Sequence, residues 1–130
     1  MEHAHCDDAL VKRIPSPDGR LSIAIYNRSC SAGTGLYTYA AVEETRSALL
    51  WSRPNVVCYL VTLGGGYHQL DAVWKDAHHI EVSSPEELEN EYAIVSREET
   101  CENISIGYQL KVKSSQTLVD PNNLKCAPAQ

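Results

Sequence analysis

Cysteine and histidine are the residue types in this chain best suited to covalent chemistry, and the sequence holds five of each. Cys30 opens the small-residue stretch 30–35, and His68 or His79 could serve as the base that withdraws its proton, as a cysteine nucleophile requires. No local signature ties Cys30 to either histidine. His78 and His79 adjoin, and neighbours on a strand face opposite ways, so they do not share one ion. His3-x-His5-Cys6 and the start Met1-Glu2-His3 could grip a transition metal or copper, but both lie in the N-terminal stretch expected to be a tail. Gly64-Gly65-Gly66 lacks the Lys-Ser/Thr and the helix of a phosphate loop, so it is expected to be a turn. The sequons at Asn27 and Asn103 matter only in a eukaryotic secretory host. These residues assign no catalytic group, no metal and no cofactor. The expected function is therefore binding, and the competing reading is a small Cys/His-dependent enzyme.

Charge position is the stronger functional signal. Between Glu81 and Glu102 stand eight acids and one base, Arg97, a local net of −7. The rest of the chain carries nine acids against ten bases, so the whole excess of the −6 total sits in 22 residues. Such concentration costs self-repulsion, and solubility alone would scatter it. Glu86, Glu87, Glu89, Glu91, Glu98 and Glu99 are the expected partner-binding residues, an acidic face that steers association with a basic protein. Small inhibitors and immunity-type proteins block a basic toxin or effector in this way. A solvated face is the plainer alternative. Calcium lacks its Asp-rich loop with a Gly here. An acidic pI near 5.3 argues against nucleic acid or an anionic membrane as partner.

One hundred and thirty residues, 43% hydrophobic and 22% charged, suit a single globular domain. Phe is absent, so seven Tyr, two Trp and the aliphatic set must fill the core. Period-two alternation dominates. Ser16-Pro17-Asp18-Gly19 is a turn in which Pro presets φ, Asp caps and Gly takes positive φ. It launches a strand at 21–26, with Leu21, Ile23 and Ile25 on one face. Strands are expected again at 36–42, at 56–61 (the best central candidate), at 70–74 and 79–82 about a turn at 75–77, at 92–95, and at 104–112. Residues 45–51 read as helix or loop. Ser84 as N-cap, Pro85 as the first helical residue and acids in the first turn signal one short helix. The expected fold is mainly β: a single-domain antiparallel sandwich or curled sheet of six to seven strands with one short helix. Its expected bounds are a flexible tail at 1–13, a β domain at 14–115 and a C-terminal tail at 116–130.

With these segments placed, Ser16-Pro17-Asp18-Gly19-Arg20, an apolar strand, Arg28-x-Cys30-x-Ala32-Gly33-Thr34, Asn55-Val56-Val57, Val73-Trp74-x-Asp76 and His79-Ile80-x-Val82 follow in order. This series resembles a family of small bacterial proteins without an assigned activity, often envelope lipoproteins. Their Ser-Pro-Asp-Gly-Lys strand precedes an Arg-x-Cys-Gly-Ala-Thr-Thr loop. The resemblance spans about residues 14–112 and departs at the loop, where Cys30-Ser31-Ala32-Gly33-Thr34 stands. It implies architecture and an envelope address, and nothing catalytic. Arg28, Cys30 and Thr34 mark a structural loop, and Arg28 is expected in a structural or ligand-fixing role, since one guanidinium can satisfy several carbonyls.

The cysteines bear on the address. The N-terminus shows neither a basic n-region nor an apolar h-region, and no apolar run is long enough to span a bilayer. Cys6 stands where a bacterial lipoprotein carries its lipid, and that anchor is the sole expected link to a membrane. If Cys6 is lipidated, the other four form an even set with three pairings open. Cys101 and Cys126 flank the last strand, and a bridge closing the 24 residues between them would tie down the tail. Alternatively Cys58 is a buried reduced thiol. Periplasm or envelope follows from lipidation, cytoplasm otherwise. A purely structural lipoprotein is the third reading.

Overall fold

The computed structural model describes residues 5–31, 35–45 and 55–113. Nine strands occur among them: β1 (Cys6–Pro15), β2 (Leu21–Cys30), β3 (Gly35–Glu44), β4 (Val56–Gly64), β5 (Asp71–Asp76), β6 (His79–Leu88), β7 (Ile94–Arg97), β8 (Thr100–Cys101) and β9 (Ile104–Val112). A single 3-10 turn, Glu91–Ala93, precedes β7. The strands form two sheets, ordered β1-β2-β3-β4-β7 and β5-β6-β9-β8, and the expected β-sandwich is the fold. All pairings are antiparallel except β6 with β9.

The core lies between the sheets. Ile23, Ile25, Ala40, Val42, Val61 and Leu63 of the first sheet meet Trp74, Ile80, Val82, Leu88, Ile104 and Ile106 of the second. Alternation reads directly in β9 and the residue after it: Ile104 and Ile106 are buried, Ser105, Lys111 and Lys113 are exposed. The turn at 16–19 forms as expected, with Gly19 at φ 77° donating its N–H to Ser16 O at 2.9 Å, and the Asp18 carboxylate accepting from Arg20 N at 3.0 Å.

Two expectations need correction. Residues 6–13 are not a flexible tail, because β1 pairs with β2 from Cys6 to Pro15. Its side chains are mostly exposed and four of the ten are charged, and adjacent Leu10 and Val11 break any alternation, so this edge strand has no apolar period to betray it. Such charges, and the bulge between Leu10 and Lys12, are also what keeps an edge strand from recruiting other chains. Nor does Ser84-Pro85 start a helix. β6 runs on to Leu88, with four residue steps from Ser84 to Leu88 spanning only two on β9, from Leu110 to Val112. The Ser84 hydroxyl donates to Glu86 O at 2.6 Å within this bulge, where Pro85 has no ladder hydrogen bond to lose. Burial of Leu88 at 1% exposure against the core outweighs the local capping preference. The helix-or-loop stretch 45–51, from residue 46 on, and the C-terminal tail at 116–130 lie outside the described residues.

Bulges in β4 decide what its sheet presents outward. Ala40 faces Val61 and Ala41 faces Tyr59, so Leu60 is the extra residue. Without that bulge Tyr59 would share the inward face with Val61 and Leu63. The bulge turns it outward while Leu60 stays buried.

One side chain bolts the sheets together at the β4 side. The Tyr108 hydroxyl of β9 lies 2.8 Å from Leu60 O and 2.6 Å from Glu98 O, and its one proton is shared between them. Burial pushes its pKa up to about 12. The neutral form is thus favoured in the folded state, so this stabilisation is complete below the unfolded pKa near 10 and fades as pH rises from there through about 12. Tyr108→Phe is expected to cost on the order of 1 kcal/mol at neutral pH. Urea midpoints of wild type and variant should converge between about pH 10 and 12. A gap that stays constant over that window refutes the assignment.

Candidate functional site

The outward face of the five-stranded sheet carries the densest polar and aromatic array in the described structure. Its register places Cys6 opposite Cys30, Asp8 opposite Arg28 and Tyr26 opposite Tyr39. Arg28 donates through Nε at 2.7 Å and Nη2 at 2.9 Å to the two Asp8 carboxylate oxygens, a bidentate pair. The Tyr39 hydroxyl donates to the same carboxylate at 2.7 Å. The Arg28 guanidinium carbon lies 5.0 Å from the Tyr39 ring centre. Asp8 raises the pKa of Arg28 further above its already high ordinary value. Sequence reading expected Arg28 to satisfy loop carbonyls; a carboxylate and an aromatic face hold it instead.

Tyrosines extend this array. Tyr26 and Tyr39 stack at 5.3 Å, and Tyr59 meets Tyr39 edge-on at 5.7 Å. At the other end Tyr26 donates to Glu43 Oε2 at 2.8 Å, and Arg13 to Glu43 Oε1 at 2.8 Å. Arg28, Tyr37, Tyr39, Tyr59, Thr62 and Val95 surround a hollow of about 250 Å³. A second hollow of about 380 Å³ adjoins it, sharing Tyr37 and Val95 and reaching Tyr92 and Glu89. Gly64 allows this closeness: a Cβ there would sit 3.0 Å from Val95 Cγ2 and 3.3 Å from the Tyr37 ring. Tyr59, Tyr92 and Val95 are 51%, 84% and 57% exposed, unusual for large apolar side chains.

The expected acidic residues divide into two groups. Glu86, Glu87, Glu89 and Glu91 are exposed around the end of β6, and Glu89 lines the hollow that Tyr92 borders. Glu98 and Glu99 sit between β7 and β8, next to the first residues of β9. The groups are separated by most of β9, from Ser105 to Val112, roughly 23 Å at about 3.3 Å per residue. Lys113 approaches Glu89 at 3.5 Å and Arg97 approaches Glu99 at 3.6 Å, both in exposed pairs worth little. Within the first group Glu89 rims the tyrosine face, while Glu86 lines a different cleft.

The cysteines pair otherwise than expected. Cys6 bonds Cys30 and Cys58 bonds Cys101. The bridge from Cys101 to Cys126 is therefore ruled out, with Cys126 outside the described residues. Cys6 is not a lipid-bearing cysteine in this structure, because its sulfur is joined to that of Cys30 across a ladder rung. Cys58 is not a reduced thiol, since the β4 bulges aim it between the sheets at β8. Cys30, as half of a disulfide, has no thiolate to offer. His68 Nε2 is engaged 2.8 Å from Gly64 O, and His79 pairs with Asp76 at 2.8 Å in an exposed turn, which lowers the Asp76 pKa. Thr34 and His3 lie outside the described residues. No group of three or more metal-ligating side chains occurs among the described residues.

Tyr37, Tyr39 and Tyr59 were missed as site residues. The spacing Tyr37-x-Tyr39 puts two rings on one strand face and was legible; the outward turn of Tyr59 depends on a bulge that the sequence does not announce. Two disulfides are the mark of a non-reducing, extracytoplasmic environment. No helix among the described residues is long and apolar enough to cross a membrane. No protein family, curated protein or solved structure was found to match this chain.

Proposed function

We propose that this is an extracytoplasmic, non-enzymatic binding domain, of the inhibitor or immunity type, that docks a basic protein on its tyrosine face. The observation that carries this reading is the strip of exposed and part-exposed rings, Tyr37, Tyr59 and Tyr92 with Val95, bordered by Glu89, with exposed Glu91 next to Tyr92 in the chain. Tyrosines supply large contact area at low entropic cost and accept lysine or arginine over their faces. Carboxylates at the rim steer the same cations during encounter. The address agrees with the envelope location implied by the resemblance to small bacterial envelope proteins, although the anchor once expected at Cys6 is not part of the proposal.

Photo-crosslinking from p-benzoylphenylalanine at position 59 or 92, in the compartment where the protein resides, tests it. Both positions should yield the same adduct to a basic protein, and position 73, on the outer face of the other sheet, should not. Glu89→Lys with Glu91→Lys should cut the yield by about tenfold, equal to about 1.4 kcal/mol from two reversed rim charges. An equal yield from position 73, or one indifferent to the charge reversal, overturns the proposal.

A further inference from the structure

A separate cleft opens on the β1–β5 side of the sandwich. It measures about 500 Å³, within the range of small-molecule sites. Asn27, Tyr67, Gln69, Lys12, Asp71 and Glu86 line it. The glycine run explains how a ring comes to stand there. Gly65 and Gly66 take φ values of 79° and 130°, and Gly66 N donates to Leu36 O at 3.2 Å. This turn ends β4 and lays residues 67–70 across the mouth, leaving Tyr67 49% exposed.

The polar groups offer both donors and acceptors. Asn27 Oδ1 accepts from Thr38 Oγ1 at 2.7 Å, which leaves the two amide hydrogens of Asn27 for a ligand. Gln69 contributes an amide that both donates and accepts, and Tyr67 a phenolic hydroxyl. Lys12 is held to Asp71 Oδ1 at 2.8 Å, an ion pair that lowers the Asp71 pKa. Glu86 adds a second carboxylate. An anion would face these two carboxylates with the sole lysine already paired. An apolar ligand would strand the amides. A hydroxyl, by contrast, donates and accepts at once, and the C–H face of a sugar ring can lie against an aromatic ring.

We infer that this cleft binds an uncharged saccharide, with Tyr67 as the platform beneath one ring and Asn27, Gln69 and Glu86 bonding its hydroxyls. The cleft shares only His68 with the hollows of the tyrosine face, and none of the groups assigned to the sugar lines them, so it neither needs nor supports the protein-docking proposal. It equips an extracytoplasmic domain to hold glycan while another face engages protein.

Amide NMR titration of the full oxidised chain with cellobiose, N,N′-diacetylchitobiose and glucose 6-phosphate tests the inference. At least one neutral disaccharide should produce saturating shifts at millimolar concentration, centred on Lys12 and residues 67–71. Tyr67→Ala and Gln69→Ala, both surface substitutions, should leave the other sheet resonances in place and weaken binding by about tenfold each, equal to one aromatic or hydrogen-bond contact. Absence of shifts from both neutral sugars, binding unchanged by Tyr67→Ala, or tighter binding of the phosphorylated sugar each overturns it.

Discussion

Replacing Cys58 and Cys101 together by alanine should lower the unfolding free energy by about 4 kcal/mol. The bridge joins β4 of one sheet to β8 of the other and closes a loop of 43 residues. In the chain-entropy picture that loop length corresponds to about 4 kcal/mol withheld from the unfolded ensemble. Little else secures β8, whose ladder to β9 comprises two rungs, Thr100 with Ser105 and Cys101 with Ile104. Domains of this size are stable by only about 5–15 kcal/mol, so the loss takes a large share of the total. The Cys6–Cys30 bridge closes 24 residues, for about 3.5 kcal/mol on the same reasoning, but its removal should cost less than that. It sits at the free end of a hairpin whose edge strand can fray as far as the Leu10–Lys12 bulge without disturbing the core. Denaturant midpoints of the two double variants decide the order. Equal losses, or a greater loss for the Cys6–Cys30 pair, contradict this account. In the variant lacking the Cys6–Cys30 bridge, hydrogen exchange should accelerate first at Cys6–Leu10, because Asp8 and its hold on Arg28 belong to the neighbouring rung of the same face.

The contrast between these bridges shows where sequence reasoning works in this protein. Strands buried on one face, such as β9 with Ile104 and Ile106 inward and Lys111 and Lys113 outward, are written in period two and were legible. The turn at 16–19 was legible because each of its residues has a local physical reason to be there. β1 was not, since a strand with one neighbour and exposed, charged side chains looks the same as a tail. The helix signal at Ser84-Pro85 failed because local capping was opposed by Leu88, whose burial is a tertiary matter. Disulfide pairing turns on the β4 bulges, which set Cys58 inward and Tyr59 outward in adjacent positions. The charge surplus of residues 81–102 was plain in the sequence. Its division into two groups was not, because the chain doubles back through the 3-10 turn and β7 before entering β9.

Glu43→Gln should destabilise the domain by about 2–3 kcal/mol, although it changes neither side-chain length nor shape. Glu43 is fully buried, at 0% exposure, on the sheet face that otherwise presents rings and alanines. Its two oxygens accept from Arg13 of β1 and Tyr26 of β2, so one carboxylate spans three adjacent strands. Hydrogen bonds to an ionised acceptor are roughly twice as strong as neutral ones, and an amide would turn N–H groups toward one of two donors. The damage should reach the candidate site, because Tyr26 stacks on Tyr39 and Tyr39 orients both Asp8 and Tyr59. A cycle with Arg13→Met separates the pair from its surroundings. Arg13 is one-third exposed, so its freed guanidinium can turn to water, whereas the carboxylate cannot follow it. Arg13→Met should therefore be at least as costly as Glu43→Gln, and the double variant should fall short of the sum by about 1 kcal/mol or more. Additive losses, or a Glu43→Gln cost below about 0.5 kcal/mol, would mean that packing alone holds this face. The tyrosines would then owe their positions to the strand register and not to the buried charge.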